Sequence, residues 1–426
     1  MVSFSNPEAI STIYPIRPGF PKSDFYVTLR PYTPERGSMP AVFNTLDEQI
    51  HKLMKNPIAP LFSLSNVVMF EDSVDEVLRC LSEQLDGRFA GKDEAFDLGQ
   101  WLQYFAFDYM GTMSFSRRYG FLEQGKDVGG MLKAISEYFR LAAPMTQMTW
   151  LDPLIYKNKI VHRFRQTAGV TILGFVSKVV GERLNYRNDG NGRVSEEASD
   201  KDFLARYIKI QKCSSVLPSW MPIAWTFSNV FAGSDSVGNV MQTVMYSLLS
   251  CPGSLLRLQE ELEAADLSRP CPKWNEIRDL PYLDACIQEA LRIHPPFALP
   301  LERVVPSGGV SVLGTYLPEG TSVGGNPYVV NRHAPTFGVD VESWNPDRWL
   351  QGDEGHKKKL EQSLLTFGAG RRICLGKNIG IFEMKKIIPF LILNYDTQIL
   401  DPNTLTIENR FFLKRRGFHC RMKRRQ

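Results

Sequence analysis

The stretch Phe367-Gly368-Ala369-Gly370-Arg371-Arg372-Ile373-Cys374-Leu375-Gly376 decides how this chain is read. Glycines stand on both sides of a cysteine, so the backbone can turn tightly and lie close to a flat group with no Cβ in the way. The run that follows, LGKNIGIFEMKKII, has helical character and places Cys374 at a helix start. Free N–H groups and the positive end of the helix dipole stabilise a thiolate there, and Arg372 adds positive charge. A thiolate held in this way suits a soft metal. The plainer reading of the same residues is a buried cysteine between turn glycines.

The rest of the chain narrows the choice. It has 426 residues, 43 % hydrophobic and 23 % charged, the balance of a soluble globular protein with ample length for a large core. Whole-chain disorder, a collagen, a coiled coil and a disulfide mini-protein are excluded. The seven cysteines are odd in number and form no CxxC pair, which argues against a disulfide framework or a paired-cysteine zinc site and for buried thiols in a reducing compartment. No window reaches 18 consecutive apolar residues, and the first 30 residues lack a signal-peptide core. Net charge is +4, yet residues 410–426 carry eight Lys/Arg and no Asp/Glu, so the body is mildly acidic. Positive charge confined to one end is not the footprint of a nucleic-acid binder. That end reads as a solvated tail.

Residues 1–45, rich in Pro and Gly, read as short strands and loops, and 46–184 as mostly helical. Tyr186–Asp202 reads as an exposed loop. A second helical block, 203–294, holds the weakly charged Trp225–Leu249, a buried central helix, and ends at His294-Pro295-Pro296. Residues 297–335 read as short strands and 336–370 as loop before the cysteine helix. The prediction is one domain, 1–426, mainly α with a minor β region (α+β).

The pattern FxxGxRxCxG, carried by Phe367, Gly370, Arg372, Cys374 and Gly376, resembles the haem-binding signature of the cytochrome P-450 family of haem-thiolate monooxygenases. Five specified residues at that spacing arise by chance in roughly one chain of this length in ten thousand. Other similar segments follow in the family's order. Glu289-Ala290-Leu291-Arg292 matches ExxR, whose two charges share a helix face, and Asn345–Trp349 resembles the PERF-type segment. The resemblance implies a buried structural cluster of Glu289, Arg292 and Arg348. Ala232–Ser236 resembles the oxygen-activation motif, with Gly233 letting the helix pass close to bound dioxygen and Asp235 and Ser236 relaying protons; Ser236 stands where the family usually has Thr. Arg372, Arg303, His51 and Lys55 match positions that hold the haem propionates. The likeness is strongest to pisatin-demethylase-like fungal members, through KDFLAR near 201 and PLERVVP near 300.

From this resemblance follow a cytochrome P-450 fold and one haem b with Cys374 as axial thiolate and metal ligand. It implies insertion of one oxygen atom from dioxygen into a lipophilic small molecule, in fungal secondary metabolism, with demethylation of plant defence compounds or non-catalytic haem binding as alternatives. Electrons would come from NADPH through a partner cytochrome P-450 reductase, docked on Arg371, Lys377, Lys385 and Lys386. By position, Phe25, Tyr26, the Ala143–Leu151 stretch, Asn229, Ala232, Phe297 and Leu299 are candidate substrate contacts, while the stripe from Trp101 to Tyr109 reads as helix packing. A monomer is expected. Family members begin with a membrane-spanning helix and hinge, whereas this chain starts near the first β-strand. The expected location is the cytosolic face of the endoplasmic reticulum, or the cytoplasm for a chain without an anchor.

Overall fold

The computed structural model describes residues 1–425 apart from 18, 34–36, 165–167 and 187–200. Most of the predicted loop Tyr186–Asp202 therefore lies outside the described residues. The principal helices are α1 (Glu48–Lys55), α2 (Glu71–Arg88), α3 (Leu98–Phe115), α4 (Met131–Gln147), α5 (Ala168–Tyr186), α6 (Phe203–Lys212), α7 (Met221–Ser250), α8 (Pro252–Ala264), α9 (Pro281–Ile293), α10 (Glu354–Ser363) and α11 (Lys377–Asn394). The labelled strands are β1 (Val2–Ser3), β2 (Phe96–Asp97), β3 (Arg303–Val304), β4 (Val310–Val312), β5 (Thr315–Leu317), β6 (Ser322–Gly324), β7 (Tyr395–Ile399), β8 (Thr406–Arg410), β9 (Phe412–Arg416) and β10 (His419–Arg424). Helix dominates, with small sheets beside it, as the α+β reading expected.

The central element is α7, 30 residues long. Proline at its first turn removes an N–H that would have no partner, and its side chains are buried around most of its circumference. It lies antiparallel to α3, because positions 99, 103 and 110 meet positions 242, 238 and 233. A Cβ at Gly238 would stand 2.7 Å from Gln103 Oε1, and one at Gly233 would stand 2.9 Å from Met110 Sδ. These glycines let two buried helices approach closely. The role expected of Gly233 is thereby corrected: it faces α3. The aromatic stripe Trp101, Tyr104, Phe105, Phe107 and Tyr109 is buried in the same core.

One hydrophobic cluster runs from Phe25 to Met422 across these helices, and a smaller one joins Ile10, Ile13 and Tyr14 to Val305, Val323 and Leu365. The small cluster covers a sheet ordered β1-β6-β3, with Val2 opposite Val323 and Arg303 opposite Val323. β4 and β5 form a hairpin, and α10 occupies part of what read as loop.

The basic C-terminal stretch is folded. β9 pairs antiparallel with β8, and β10 is the centre of the sheet β2-β10-β7. Its charges are matched by the acidic body: Arg424 to Asp86 at 2.6 Å, Arg425 to Asp396 at 3.2 Å, Arg421 to Asp93 at 3.2 Å and Lys414 to Asp235 at 2.7 Å. The solvated-tail reading fails because the buried Phe412 and Leu413, and the alternation of apolar and polar residues from Phe418 to Met422, matter more here than charge density. Among the described residues no helix is long and apolar enough to cross a membrane.

Candidate functional site

The cysteine loop is built by its backbone. Gly368 and Gly370 have φ of +67° and +61°, in the left-handed region that glycine enters without strain. At Gly370 no other residue fits, because a Cβ would stand 2.1 Å from Tyr14 O and 2.5 Å from Pro15 O. The Cys374 N–H then donates to Phe367 O at 2.7 Å, closing the turn. Helix α11 starts at Lys377, three residues later than the sequence suggested. The cysteine precedes the helix, and the N–H groups of Gly376 and Lys377 still point at its sulfur. Burial raises the thiol above its usual value, and those N–H groups, with Lys377, pull the other way. Its side chain is nevertheless open to water. A side chain both deep in the protein and open faces an internal void.

Positive charge gathers beside that void. Arg372 donates from Nε and Nη2 to Glu48 Oε1 at 3.0 and 2.7 Å, and Arg371 Nη1 to Glu48 Oε2 at 2.9 Å. Burial alone would raise the Glu48 carboxyl, but these two guanidiniums hold it below its usual value. Arg303 Nη1 donates to Tyr26 Oη at 3.0 Å and lies over the Tyr14 ring. Lys55 Nζ donates to Arg371 O at 2.8 Å. Lys22 is buried, donates to Phe43 O and sits 3.8 Å from the Tyr26 ring centroid, with no carboxylate partner among the described residues. Burial and the nearby Arg303 and Arg372 push the Lys22 ammonium well below its ordinary value. His51 is buried and held neutral, pushed down to about 3 by burial and Arg372. Buried cations in excess of buried carboxylates are costly unless an anion joins them. An accessible thiol beside such a surplus fits a haem with two propionates: Cys374 would hold the iron, and Arg303, Arg372, Lys22 and Lys55 the carboxylates.

Across the core, Ala232 and Ser236 keep open surface on α7. Ser236 Oγ donates back to Ala232 O at 2.6 Å. Helix α11 meets α7 next to this point, since a Cβ at Gly380 would lie 3.3 Å from Val237 Cγ2. Asp235 is 1 % exposed and turned elsewhere: Gln103 Nε2 donates to its Oδ1 at 2.8 Å, and Lys414 Nζ reaches Oδ2 at 2.7 Å.

Aromatic rings cluster nearby. Phe139 on α4 stacks on Phe411 at 4.5 Å and meets Phe231 of α7 at 5.2 Å. Phe297 meets Phe411 at 4.8 Å and Phe25 at 6.4 Å. Phe411 sits alone at the β8–β9 tip with φ +79°, a conformation that costs a non-glycine residue and persists only where packing imposes it.

The structure brings Glu289, Arg292 and Arg348 together in the interior. Glu289 Oε1 and Oε2 accept from Arg292 Nη2 and Nε at 2.7 and 2.8 Å and from Arg348 Nε at 3.1 Å each. Trp349 Nε1 and Asn345 N complete the shell at 2.9 and 3.0 Å.

Several candidates land elsewhere. Tyr26 belongs to the cationic cluster through Arg303, and the Asn229 amide donates to Tyr207 Oη at 2.8 Å, toward α6. In the Ala143–Leu151 stretch Trp150 is 65 % exposed and does not line an interior. Leu299 is half-buried against the main core. Of the supposed docking charges, Lys386 is fully buried between Glu71 and Asp75, Lys385 is buried against Asp284, and Arg371 is tied to Glu48; Lys377 alone of the four is exposed. Apolar neighbours on α11 carry both lysines inward, where carboxylates await them. Glu48, Lys22, Gln103 and Lys414 were not singled out from sequence. Only Glu48, three residues before His51 on one helix face, left a local signal.

Fold, thiol loop and charge cluster fit a haem-thiolate protein. The family model for cytochrome P450 matches residues 1–420, and the chain belongs to the cytochrome P450 family. It is 58 % identical over 430 residues to the cytochrome P450 monooxygenase mfmA of Annulohypoxylon moriforme, all of this chain matching 84 % of that protein. It is 53 % identical to the cytochrome P450 monooxygenase mpaDE of Penicillium roqueforti, all of this chain against 50 % of that longer protein, and 52 % identical to pkfB of Emericella nidulans, against 83 %. With these relatives, the chain is a monooxygenase.

Proposed function

We propose that this protein inserts one oxygen atom from dioxygen into a lipophilic small molecule of fungal secondary metabolism, acting as a single catalytic domain over 1–426. The observation that carries the reading is the open thiol of Cys374 beside a buried surplus of cations. Haem b, when bound, supplies oxygen activation through a thiolate-ligated iron. The chain's own residues do the rest. Cys374 gives up its proton on ligation, which the N–H groups of Gly376 and Lys377 favour. Arg303, Arg372, Lys22 and Lys55 neutralise the propionates, with His51 packed beside them. The rings of Phe139, Phe231, Phe297 and Phe411 exclude water and bind an apolar substrate. Ser236, on the side of α7 that carries Ala232, delivers protons there; the Asp235 carboxylate, directed at Gln103 and Lys414, would have to turn to join it. Serine keeps the hydroxyl of the usual threonine without the methyl that restricts its rotamer. Electrons come from NADPH through a reductase at the cytosolic face of the endoplasmic reticulum.

The test is the difference spectrum of the reduced protein with carbon monoxide. A strongly red-shifted Soret band, lost in Cys374→Ala, is expected. A wild-type band at the position typical of neutral ligands would overturn the assignment of Cys374. Turnover under labelled dioxygen then checks the reaction, with label expected in the product.

A further inference from the structure

Four phenylalanine rings from distant parts of the chain form one continuous arc: Phe231 of α7, Phe139 of α4, Phe411 at the β8–β9 tip and Phe297 after α9. Successive ring centroids lie 5.2, 4.5 and 4.8 Å apart. The two middle rings are buried. The two end rings, Phe231 and Phe297, pack on the main core yet are only half-buried. Phe231 is followed by Ala232, which keeps open surface. The open ends of the arc are therefore ring surface, and that of Phe231 adjoins the void onto which Ala232 faces.

The arc is held from behind. Phe139 and Phe411 lie nearly parallel, 9° apart, and Phe227 stacks on Phe231 at 5.4 Å. An isolated antiparallel bridge joins Phe297 to Phe412, and Leu413 N–H donates to Pro296 O at 2.8 Å. The backbones that carry rings 297 and 411 are thus clamped together, and Phe411 keeps its positive φ of +79° within that clamp. The charges that follow the tip are drawn off, Lys414 to Asp235 and Arg415 to Thr243 Oγ1. What remains as wall is a set of flat apolar faces and edges fixed in advance.

We propose that the substrate of this site is a planar aromatic compound, held by ring contacts against Phe231 and Phe297. The inference rests on the monooxygenase reading above and narrows its substrate class. An alkyl chain or a puckered ring laid on these walls gains burial alone. A flat ring gains in addition the stacked and edge-to-face contacts that ring quadrupoles favour. It also meets walls already in position and has no rotors of its own to freeze, so little is lost to ordering.

The test is binding, read from the shift of the Soret band when the haem-loaded protein is titrated with naphthalene and with decalin. Decalin has the same carbon skeleton but is saturated, puckered and more apolar, so removal from water alone favours it. Naphthalene is expected to bind roughly tenfold tighter, the sum of contacts with two rings. Phe231→Leu and Phe297→Leu keep the wall apolar, and either serves should the other fail to accumulate. Each should weaken naphthalene several-fold and leave decalin within about twofold. Equal affinities, tighter decalin, or no shift with either compound, in a protein with the red-shifted carbon monoxide band, overturns the aromatic preference and leaves the monooxygenase standing. A preference that survives in both variants overturns its assignment to these rings. Absence of the red-shifted band overturns the haem-thiolate reading itself, and the inference falls with it.

Discussion

Replacing Glu289 with Gln changes one atom at the best-connected carboxylate in the fold. Glu289 is fully buried and accepts six hydrogen bonds, four from the guanidiniums of Arg292 and Arg348 and two from neutral N–H groups. Glutamine keeps the shape and one acceptor oxygen, but its amide N–H2 faces donors. Arg292, fully buried, loses its only carboxylate among the described residues, while Arg348 keeps Asp340 at 3.0 Å. Breaking a buried pair from one side costs about 3–5 kcal/mol. At ~2.1 cal/mol/K per residue the unfolding entropy of this chain is roughly 0.9 kcal/mol/K, so the melting point should drop by about 3–6 °C. Calorimetry of haem-loaded wild type and Glu289→Gln measures it. The control is Arg278→Gln, which removes the exposed pair with Asp279 and should move the transition by about 1 °C or less. If E289Q melts no lower than the control, the cluster does not hold α9 to the 337–349 segment, and its assignment as a structural anchor is wrong.

Gly370→Ala should be far more damaging than its size suggests: the left-handed backbone costs about 1–2 kcal/mol, and the new Cβ collides with Tyr14 O. Loss of the red-shifted carbon monoxide band with wild-type helix content by circular dichroism is the expected result. Lys22→Met should act with opposite sign on two states: the haem-free chain melts higher because an unpaired buried cation is gone, while haem loss to a scavenger protein becomes several-fold faster. Both effects in one direction would remove Lys22 from the propionate cluster. His51 and His294 are held down to about 3 by burial, His51 with Arg372 and His294 with Arg415 adding repulsion. Their folded values lie below the unfolded value near 6.5, so stability is full above that pH and is lost as pH falls toward 3. Melting curves between pH 7 and pH 4 should show the decline, and His294→Gln should flatten it.

What the sequence made legible follows from how locally each feature is encoded. The cysteine loop could be read because its geometry forces residue types: positive φ at 368 and 370 demands glycine. The Glu289–Arg292 pair was legible because three residues make most of a helical turn. Arg348 joined it through resemblance, since nothing local marks a charge 56 positions downstream as a partner of Arg292. Lys22, Glu48 and Gln103 acquire their roles only when distant segments meet, and a charged or polar residue on an amphipathic stretch looks the same whether it ends in water or against a buried group. Lys385 and Lys386 show the converse: read as a docking face, they are buried because Asp284, Glu71 and Asp75 wait inside.

The C-terminal stretch carries this furthest. Read as a block of eight cations it is a tail; read for where its apolar residues fall it is two strands. The fold uses both descriptions at once. Strand β10 turns Cys420 and Met422 inward at alternate positions, while β9 buries Phe412 and Leu413 together at its start. The intervening cations then project where the mildly acidic body supplies carboxylates, at Asp86, Asp93, Glu408 and Asp396. Four of these pairs are partly exposed and hold the sheet weakly, each contributing about 0–1 kcal/mol. The fifth, Lys414 with Asp235, has its carboxylate 1 % exposed and so lies inside the fold. The positive charge concentrated at this end of the sequence therefore divides, once folded, into ordinary surface pairing and an interior contact with Asp235.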